Sequence, residues 1–347
     1  MIEKSAAQPP SISIIVVNWN GAQILPQCLA AISAQTIKDY EVIVVDNASG
    51  DGSADEIEKD WPGIQVLRLE KNIGFAAANN RAALLAKGRG LALLNNDAFP
   101  NANWLETLIA ATQRHTEVVF FASCLVQAKE PNHIDSAGDI CHISGLAWNR
   151  GHNQIVDRAI LKTEEVFSPC AAAGFYERNA FLQVGGFDEI YFSHHEDIDL
   201  GFRLRLFGWR CLYIPEAIVK HIGSASFGGE NAQTIYQAHR NMVWTYFKNM
   251  PGHLVWQYLP AHLLANLIFL FYYSVSGQAK PIWRAKWDAL KGLPKIFRMR
   301  RKIQILSKVH PNEIKQVLDH HLLSPYLLGK NADQIQRWAR RIGIIHL

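Results

Sequence analysis

Short apolar runs alternate with amphipathic stretches through the first hundred residues. Four runs rich in Val, Ile and Leu have the length of buried strands, and they are 11–17, 40–46, 64–70 and 91–97. Three stretches between them have helical spacing, and they are 26–35, 55–61 and 74–88. This alternation of strand and helix predicts an α/β fold with a mostly parallel sheet flanked by helices.

The pattern is less regular in the rest of the chain. Residues 124–167 mix polar and apolar positions in a way that predicts no elements. A helix is predicted at about 194–207, followed by a strand that contains Tyr213 and Ile214. Beyond Phe247 the composition shifts to aromatic and basic residues, which marks a distinct C-terminal region.

Three predicted strands carry a polar residue at the carboxyl end. Asn18, Asp46 and Asp97 each come just past an apolar run. Ligands of parallel sheets bind outside the carboxyl ends of the strands, so we expect these residues on one rim. The first strand is not followed by G-x-G-x-x-G, and the chain has no G-x-x-x-x-G-K-[ST]. Dinucleotide binding and P-loop phosphate binding are therefore disfavoured.

Asp97, with Asn96 before it, is a candidate for metal and diphosphate binding. Mg²⁺ takes oxygen ligands, typically one or two carboxylates together with phosphate oxygens. A single aspartate at a strand tip suits that sparse arrangement. The alternative is an Asn/Asp turn that closes the strand before Pro100.

Asp46 begins the loop "DNASGDGS". A carboxylate there would accept hydrogen bonds from a nucleobase or a sugar. The alternative is a loop that only caps the next helix, which Asp51 or Ser53 would do equally well. Asp46 lies nearer the strand than a cap requires, and this favours the binding role.

Glu196 and Asp197 stand side by side in "SHHEDIDL". Ser193 and Glu196 match the S-x-x-E capping box at the start of a helix, which accounts for Glu196 without a catalytic role. Asp197 is left unexplained, and we favour it as a general base. His221 follows a strand; a lone histidine is more often structural than a ligand, but beside a bound diphosphate it would complete a metal shell.

Composition and charge exclude several classes of protein. Apolar residues make up 49% of the 347 residues, enough for a sizeable core, and the net charge of +4 is too small to argue for nucleic acid as a partner. The five cysteines show no C-x-x-C spacing, so neither a disulfide framework nor a zinc site is indicated, and a reducing compartment is the simpler interpretation. Pro9 and Pro10 interrupt the N-terminus where a signal peptide needs its apolar region.

The stretch from Leu254 to Gly277 is apolar, aromatic and free of formal charge. Its length would span a bilayer, but Pro260 and the polar residues His262 and Asn266 suit an interfacial or buried helix better. A basic cluster follows, composed of Lys291, Lys295, Arg298, Arg300, Arg301 and Lys302. We therefore expect peripheral association with a membrane surface, with a core helix as the alternative.

Seven motifs occur in order between Ser11 and Ser226. They are "SIIVVNWNG", "YEVIVVDNASGDGS", "NIGFAAANN", "LLNNDAFP", "GGFDE", "HHEDIDLGFRLRLFGW" and "HIGSAS". The set resembles inverting family-two glycosyltransferases of the GT-A fold, especially the rhamnosyltransferase-like branch. The resemblance implies a GT-A (Rossmann-like) catalytic domain at 11–247, with a nucleotide-sugar half at 11–122 and an acceptor half at 123–247. Residues 248–347 would form a helical C-terminal extension.

The resemblance also assigns roles to individual residues. Asp46 would contact the nucleobase, Asn96 the ribose, and Asp97 the diphosphate and a Mg²⁺ or Mn²⁺ ion shared with His221. Asp197 would be the base of the catalytic pair with Glu196. The donor site as a whole would comprise Val17, Asn18, Asn20, Asp46, Asn47, Asn72, Gly74, Phe75, Asn79, Asn96 and Asp97, and the acceptor side Ala173 and Gly174. The chain departs from the family's D-x-D motif, since "NND" keeps only the last carboxylate.

By this resemblance the chain is an enzyme of cell-surface polysaccharide synthesis. It would move a sugar, such as rhamnose from dTDP-rhamnose, onto a saccharide or lipid-linked saccharide at the cytoplasmic face of the plasma (inner) membrane. Two alternatives stay open, a nucleotidyltransferase on a similar sheet and a non-catalytic nucleotide-sugar binding module. The loop "VNWNGAQ" lacks the basic residues of a nucleotidyltransferase, and "HHEDIDL" argues against a module that only binds.

Overall fold

The fold is that of a computed structural model, which describes residues 10–157, 160–223, 231–321 and 324. Two sequence predictions extend beyond these residues. Positions 224–226 of the "HIGSAS" motif lie outside the described residues, and so does most of the chain after 321.

The first part of the sheet follows the predicted alternation of strands and helices. Its elements are β1 (Ile12–Asn18), α1 (Leu25–Ser33), β2 (Tyr40–Asp46), α2 (Ser53–Asp60), β3 (Gln65–Arg68), α3 (Gly74–Leu85) and β4 (Gly90–Asn95). β1 pairs in parallel with β2 on one side and β4 on the other, and β3 continues the sheet beside β2. The predicted parallel arrangement is confirmed, and the register places Asn18 opposite Asp46.

The second part of the sheet mixes parallel and antiparallel strands. Its elements are β5 (Ala98–Pro100), α4 (Trp104–Arg114), β6 (Phe120–Gln127), β7 (Ile134–Ser136), β8 (Asp139–Cys141), β9 (Ala147–Asn149), β10 (Glu164–Val166), β11 (Ala173–Glu177), α5 (Arg178–Gln183), a 3₁₀ helix (Glu189–Tyr191), α6 (Glu196–Leu206) and β12 (Cys211–His221). β11 runs antiparallel between β4 and β6, while β12 is parallel to β6. The order across the sheet is β10-β12-β6-β11-β4-β1-β2-β3, and β8 pairs with β9 in a separate small sheet.

Both faces of the large sheet are buried, which explains why its central strands are almost continuously apolar. On β1, Ile15 belongs to one apolar cluster together with Ala78 of α3. Ile14 and Val16 belong to the cluster on the opposite face, together with Leu108 of α4. The strand period of two therefore sends neighbouring side chains to different helical layers, and the sheet is held rigidly between them.

The C-terminal region is helical, as predicted. Its elements are α7 (Ala232–Asn249), α8 (Leu254–Gln257), α9 (Leu259–Val275), α10 (Ala279–Leu306) and α11 (Pro311–Val317). α10 packs along α7, where the Trp244 indole N–H donates to the Ala289 carbonyl at 3.1 Å. A Cβ added to Gly292 would lie 2.7 Å from the same indole, so this approach of the two helices requires glycine.

The apolar stretch from Leu254 to Gly277 forms the short helix α8 and then α9. Pro260 stands in the first turn of α9, where its missing N–H costs nothing. In the part of the chain that the structure describes, no helix combines the length and apolarity needed to cross a membrane. The buried face of α9, which includes His262, Phe269 and Tyr273, packs on the rest of the protein.

One member of the predicted basic cluster has a structural role instead. The guanidinium group of Arg300 donates to the Phe247 carbonyl at 3.1 Å and to the Met250 carbonyl. These carbonyls end α7, where a cation also complements the helix dipole. Arg300 is therefore turned inward, although the sequence pattern groups it with its exposed neighbours.

Candidate active site

The carboxyl ends of β4, β6 and β12 open into one cleft of about 740 Å³, at Asn95, Gln127 and His221. Residues 170–172 before β11, residues 193–198 at the start of α6, and side chains of α7 and α9 complete the wall. Four of the predicted site residues line this cleft, and they are Phe75, Glu196, Asp197 and His221. Helices of the C-terminal region form the far end of this cleft.

His221 joins two carboxylates at the end of β12. Its Nδ1 lies 2.7 Å from Asp135 Oδ2, and its Nε2 lies 3.3 Å from Asp97 Oδ1. Asp135 also contacts His152, whose Nδ1 is 3.4 Å from Asp135 Oδ1. Burial alone would lower the pKa of His221, but Asp135 and Asp97 raise it to about 9. Without a bound cation, the two carboxylates therefore favour the protonated imidazole, and a metal ion at Nε2 would take the place of the proton there.

Asp97 and His221 bring one carboxylate and one imidazole nitrogen to the same point. His221 Nε2 is buried and makes no well-aligned hydrogen bond within the described residues. Metal-bound histidines usually donate their other ring N–H to a carboxylate, which is the contact that His221 Nδ1 makes with Asp135. Across the described ranges, no three His, Cys, Asp or Glu side chains group around one metal position. The pair fits a cation that takes its other ligands from phosphate and water.

The acid pair stands in the first turn of α6, which begins at Glu196. The chain enters this helix through His194 and His195, both in the left-handed region with φ of 67° and 68°. The predicted capping box is therefore wrong, because Glu196 is the first helical residue and not the third. The Ser193 hydroxyl donates instead to Gln237 Oε1 at 3.1 Å. Left-handed backbone at non-glycine residues is strained, and such strain is concentrated at functional sites.

Glu196, Asp197 and Asp139 bring three carboxyl groups to one part of the cleft. Burial and the neighbouring Asp197 raise the pKa of Glu196 well above its usual range, and the same two causes raise the pKa of Asp139. Burial also raises the pKa of Asp197, but N–H groups of Ile198 and Ala171 donate to its carboxylate and limit the rise. Asp197 is therefore the member of the group that ionises most readily.

One network of side-chain amides supports the rim at the ends of β1 and β4. Asn18 Nδ2 donates to Ser53 Oγ at 2.8 Å, and Asn18 Oδ1 accepts from Asn96 Nδ2 at 3.0 Å. Gly21 lies so close that an added Cβ would be 2.2 Å from Asn18 Oδ1. These contacts hold two predicted site residues, Asn18 and Asn96, in fixed orientations beside Asp97.

A second amide network connects the end of β2 to the start of α3. Asn47 Nδ2 donates to Asn72 Oδ1 at 3.0 Å, and Asn47 Oδ1 accepts from the Ile73 N–H at 2.9 Å. Gly74 has a φ of 86°, and an added Cβ would lie 2.7 Å from the Phe192 carbonyl oxygen. The predicted residues Asn47, Asn72 and Gly74 therefore fix the loop between β3 and α3 against the end of β2, and Gly74 packs against the loop before α6.

Three further predicted residues lie at the ends of β1 and β2. Asp46 is buried and its Oδ1 accepts the Ser49 N–H at 3.3 Å. Asn20 is exposed with a φ of 52°, and its Oδ1 accepts the Gly50 N–H at 2.8 Å. Val17 is partly buried and packs against the apolar core on the α3 face. The loops after the two strands are thus bonded to each other.

The remaining predicted residues lie farther from the cleft. Asn79 is buried within α3, and its Nδ2 donates to the Phe75 carbonyl at 2.9 Å. Ala173 and Gly174 lie inside β11, paired with β4. The residues that line the cleft are the three before them, 170–172. The cleft-lining segment therefore immediately precedes the two predicted residues.

Asp199 anchors α6, the helix that carries the acid pair. Its carboxylate accepts Arg203 Nε at 2.8 Å, Asn249 Nδ2 at 2.6 Å and the Tyr191 hydroxyl at 3.1 Å, and it lies 2.7 Å from Lys248 Nζ. Burial alone would raise the pKa of Asp199, but Lys248 and Arg203 lower it to about 2. This buried ion-pair network fixes α6 to α7 and to the loop before it.

Sequence reasoning missed Asp135, Asp139 and His152. All three come from the irregular stretch 124–167, where no periodicity predicts an element. Asp139 accepts a hydrogen bond from Ser168 Oγ at 3.1 Å, and Asp135 lies 86 positions before its partner His221. The only sequence signal is the pair of aspartates in "HIDSAGDI", which by itself is equally typical of a turn.

Comparisons with known proteins identify the family of the chain. The family model described as "Glycosyl transferase family 2" matches residues 13–181, and "Glycosyl transferase family group 2" matches residues 100–287. The chain is 26% identical over 273 residues to the N-acetylglucosaminyl-diphospho-decaprenol L-rhamnosyltransferase of Mycobacterium tuberculosis (strain CDC 1551 / Oshkosh), which covers 72% of this chain and 87% of that protein. It is 28% identical to the O-antigen biosynthesis protein RfbC of Myxococcus xanthus over 62% of this chain and 18% of that protein.

Solved structures with the same fold include two glycosyltransferase chains. The crystal structure of S. aureus TarS 1-349 superposes with a TM-score of 0.55 at 17% identity, over 88% of this chain and 90% of that one. The crystal structure of GalNAc-T7 with UDP, GalNAc and Mn²⁺ superposes with a TM-score of 0.57 at 18% identity, over 70% of this chain and 48% of that one. At these identities the likeness extends to the fold alone.

Proposed function

The chain belongs to glycosyl transferase family 2, and from this premise we propose that it transfers a sugar from a nucleotide diphosphate donor to a hydroxyl group of a saccharide acceptor, inverting the anomeric carbon. The observation that carries the proposal is that Glu196, Asp197 and His221 line one cleft, and that His221 contacts Asp97 at its end. The relative named as a rhamnosyltransferase makes dTDP-rhamnose the first donor to test, and its name makes a diphosphate-linked lipid saccharide the first acceptor class.

Asp197 acts as the general base in this reaction. Two backbone N–H groups, of Ile198 and Ala171, orient its carboxylate, and burial raises its pKa, which strengthens it as a base. It takes the proton of the acceptor hydroxyl as that oxygen attacks the anomeric carbon. The new C–O bond forms on the face opposite the diphosphate while the bond to the diphosphate breaks, so one displacement inverts the configuration.

Glu196 supports this base without sharing its role. Burial and the charge of Asp197 raise the pKa of Glu196 well above its usual range, which favours its protonated form. A protonated Glu196 can donate a hydrogen bond, whereas an ionised one would repel the base. The pair therefore presents one charge and one proton to the cleft.

Asp97 and His221 stand where the diphosphate of the donor would lie, beside the amide networks at the ends of β1, β2 and β4. Together they would hold a Mg²⁺ or Mn²⁺ ion, which stabilises negative charge on a leaving diphosphate. Asp135 orients His221 through the Nδ1 contact, and Asn18 orients Asn96 next to Asp97. These residues keep the diphosphate end of the cleft in one geometry.

The test of the base is Asp197→Asn, which keeps the shape of the side chain. We expect donor binding to be unchanged and transfer to fall by roughly a hundredfold or more, the usual effect of losing a general base. Glu196→Gln is the matched variant, and it should keep much more activity because glutamine imitates the protonated acid. Release of sugar from the donor without acceptor would further separate an enzyme from a module that only binds. Full turnover in Asp197→Asn would refute the assignment.

We also propose that the C-terminal helices dock on the cytoplasmic face of the plasma (inner) membrane. One face of α9 and the adjacent part of α10 form an exposed surface, called here the α9–α10 apolar surface. It comprises Leu263, Leu264, Leu267, Phe271, Val275, Trp283 and Trp287, each more than half exposed. The Trp283 indole N–H donates to Ser274 Oγ at 3.1 Å, which joins the two helices into one surface. An apolar patch of this size that is exposed to solvent is typical of a binding surface.

Basic side chains border the α9–α10 apolar surface and match anionic lipid. Lys291 Nζ lies 5.1 Å from the centroid of the Trp287 ring. Four more exposed cations follow along α10, and they are Lys295, Arg298, Arg301 and Lys302. Each cation next to an anionic bilayer gains about 1 kcal/mol, while tryptophan favours the headgroup boundary. Arg300 is not one of these cations, because its guanidinium group donates to carbonyls at the end of α7.

Vesicle sedimentation tests the membrane proposal. We expect the full chain to bind anionic vesicles, to bind neutral ones weakly, and to release as salt concentration rises. The double variants Trp283→Ser/Trp287→Ser and Lys291→Gln/Lys295→Gln should each weaken binding. The control is Leu84→Ser, because Leu84 is an exposed apolar residue of α3 and not of the C-terminal helices. This variant should bind vesicles as the wild type does. Equal binding by all variants would show that the α9–α10 apolar surface is not the docking face.

A further inference from the structure

We propose that His195, His239 and Lys286 form a subsite for the phosphate groups of a diphosphate-linked acceptor, at the end of the cleft formed by α7 and α9. His195 and His239 would contact the phosphate oxygens, and Lys286 would supply positive charge beside them. The inference rests on the proposed transfer reaction and names the chemical class of its acceptor.

Two buried imidazole nitrogens mark this subsite. His195 and His239 both line the cleft. The Nδ1 atoms of both rings are buried and make no hydrogen bond within the described ranges. His239 is only 7% exposed, so an unsatisfied nitrogen there costs free energy unless a ligand meets it. A phosphate oxygen would accept a hydrogen bond from each ring.

Lys286 brings a cation to the same place. Its Nζ donates to the His239 carbonyl at 3.2 Å and to Asn266 Oδ1 at 2.6 Å. Neither partner carries a negative charge, so the ammonium group is solvated by neutral oxygens alone in these contacts. Burial lowers the pKa of Lys286 to about 7 and the pKa of His195 to about 3. An anion placed among them would favour their charged forms, which is the condition for tight phosphate binding.

The cluster is held in place before any ligand binds. Asn241 of α7 donates through Nδ2 to the carbonyls of Ser193 and His194, at 2.9 and 2.7 Å, and so fixes the loop that carries His195. The His239 ring packs between aromatic rings of α9, with centroid distances of 4.9 Å to Phe269 and 5.0 Å to Tyr273. Rigid placement reduces the entropy lost on binding.

The position of the cluster fits an acceptor diphosphate better than the donor diphosphate. Asp197 lies two residues after His195, and both line the same cleft as His239, so the base and the cluster face one bound acceptor. A diphosphate at the acid group itself would be repelled by the carboxylate of Asp197. Phe269 and Tyr273 of α9 line the cleft beside His239. The group that follows the phosphates of such an acceptor would therefore meet apolar side chains there.

The test measures binding of farnesyl diphosphate and farnesol to the full chain by calorimetry, with EDTA present so that no cation is held at Asp97. The variants are His239→Phe, which keeps the packing of the ring, and Lys286→Met, which keeps the stem. The matched controls are His253→Phe and Lys280→Met, both exposed. We expect the wild type to prefer farnesyl diphosphate at least tenfold, and each variant to lose roughly ten- to a hundredfold of that affinity. Farnesol binding and the controls should not change.

Four results would overturn the subsite. The first is that the wild type shows no preference for farnesyl diphosphate over farnesol. The second is that the exposed control variants lose as much affinity for farnesyl diphosphate as His239→Phe and Lys286→Met do. Alternatively, the variants would weaken dTDP binding in Mn²⁺ as much as they weaken farnesyl diphosphate binding, which would assign the cluster to the donor. Displacement of farnesyl diphosphate by short-chain phosphatidylglycerol would assign it to a lipid headgroup. If the variants lose diphosphate binding but the wild type transfers no sugar, the subsite stands and the proposed reaction falls.

Discussion

Removing the charge of Asp199 should destabilise the protein strongly, because this carboxylate is fully buried between two cations. Asp199→Asn keeps the size of the side chain and an oxygen acceptor for Tyr191 and Asn249. It removes the charge that lies 2.7 Å from Lys248 Nζ and 2.8 Å from Arg203 Nη2. The side chains of Lys248 and Arg203 are 1% and 7% exposed, so water cannot replace the lost partner.

The magnitude follows from two estimates. The lowered pKa of Asp199 corresponds to on the order of 2 kcal/mol of stability at neutral pH, since one pH unit is worth about 1.4 kcal/mol. Leaving two buried cations with weaker partners adds to this, and broken buried ion pairs typically cost about 3–5 kcal/mol. We therefore expect Asp199→Asn to lower the free energy of unfolding by about 3–5 kcal/mol. Lys248→Met should cost less, because Asp199 keeps Arg203 as a partner.

Urea unfolding at pH 7 measures this difference, provided that the slope of the transition is unchanged. The control is Arg68→Met, which removes an exposed ion pair with Asp55 and Glu58 and should leave the midpoint unchanged. The pKa of Asp199 is lowered on folding, so its stabilisation is present above about 3.8 and is lost as the pH falls through about 2. If Asp199→Asn unfolds at the same urea concentration as the Arg68 control, the network does not anchor α6.

Two further predictions concern the metal ligand and the helix packing. Asp97→Asn should weaken donor binding only when Mg²⁺ or Mn²⁺ is present. Calorimetry with and without the cation measures this, and equal affinities of wild type and variant under both conditions would contradict the role of Asp97 as a ligand. Gly292→Ala should destabilise the protein by about 1–2 kcal/mol despite the better helix propensity of alanine, because its Cβ would lie 2.7 Å from a Trp244 ring fixed by the Ala289 carbonyl. A gain in the urea midpoint would show that the two helices can separate at no cost.

Local pattern was sufficient to predict the first four strands and the helices between them. β1, β2 and β4 are buried on both faces, so their apolar runs are almost continuous and end abruptly at a polar residue. That is why Asn18, Asp46 and Asp97 could be placed on one rim before any coordinates. The acid pair was likewise found from its motif, and the structure brings it to the same cleft as His221.

Local pattern failed where the backbone departs from standard conformations. The motif from Ser193 to Glu196 satisfies the letters of a capping box, but His194 and His195 adopt left-handed conformations that the letters do not encode. The resemblance assigned Ala173 and Gly174 to the acceptor side, and pairing with β4 and β6 places them inside β11, next to the cleft-lining residues 170–172. Strand boundaries of this kind are decided by neighbours in the sheet and not by the segment itself.

The sequence by itself determined the alternation of elements, the order of the motifs and the rim on which the site is built. Only the tertiary structure decided that Asp135 contacts His221, that Arg300 turns inward to end α7, and that His239 faces the same cleft as Asp197. The physical reason is the range of the interactions involved. Periodicity reports which face of a segment is buried, whereas contacts across 50 to 86 positions depend on how the completed sheet and helices bring distant segments together.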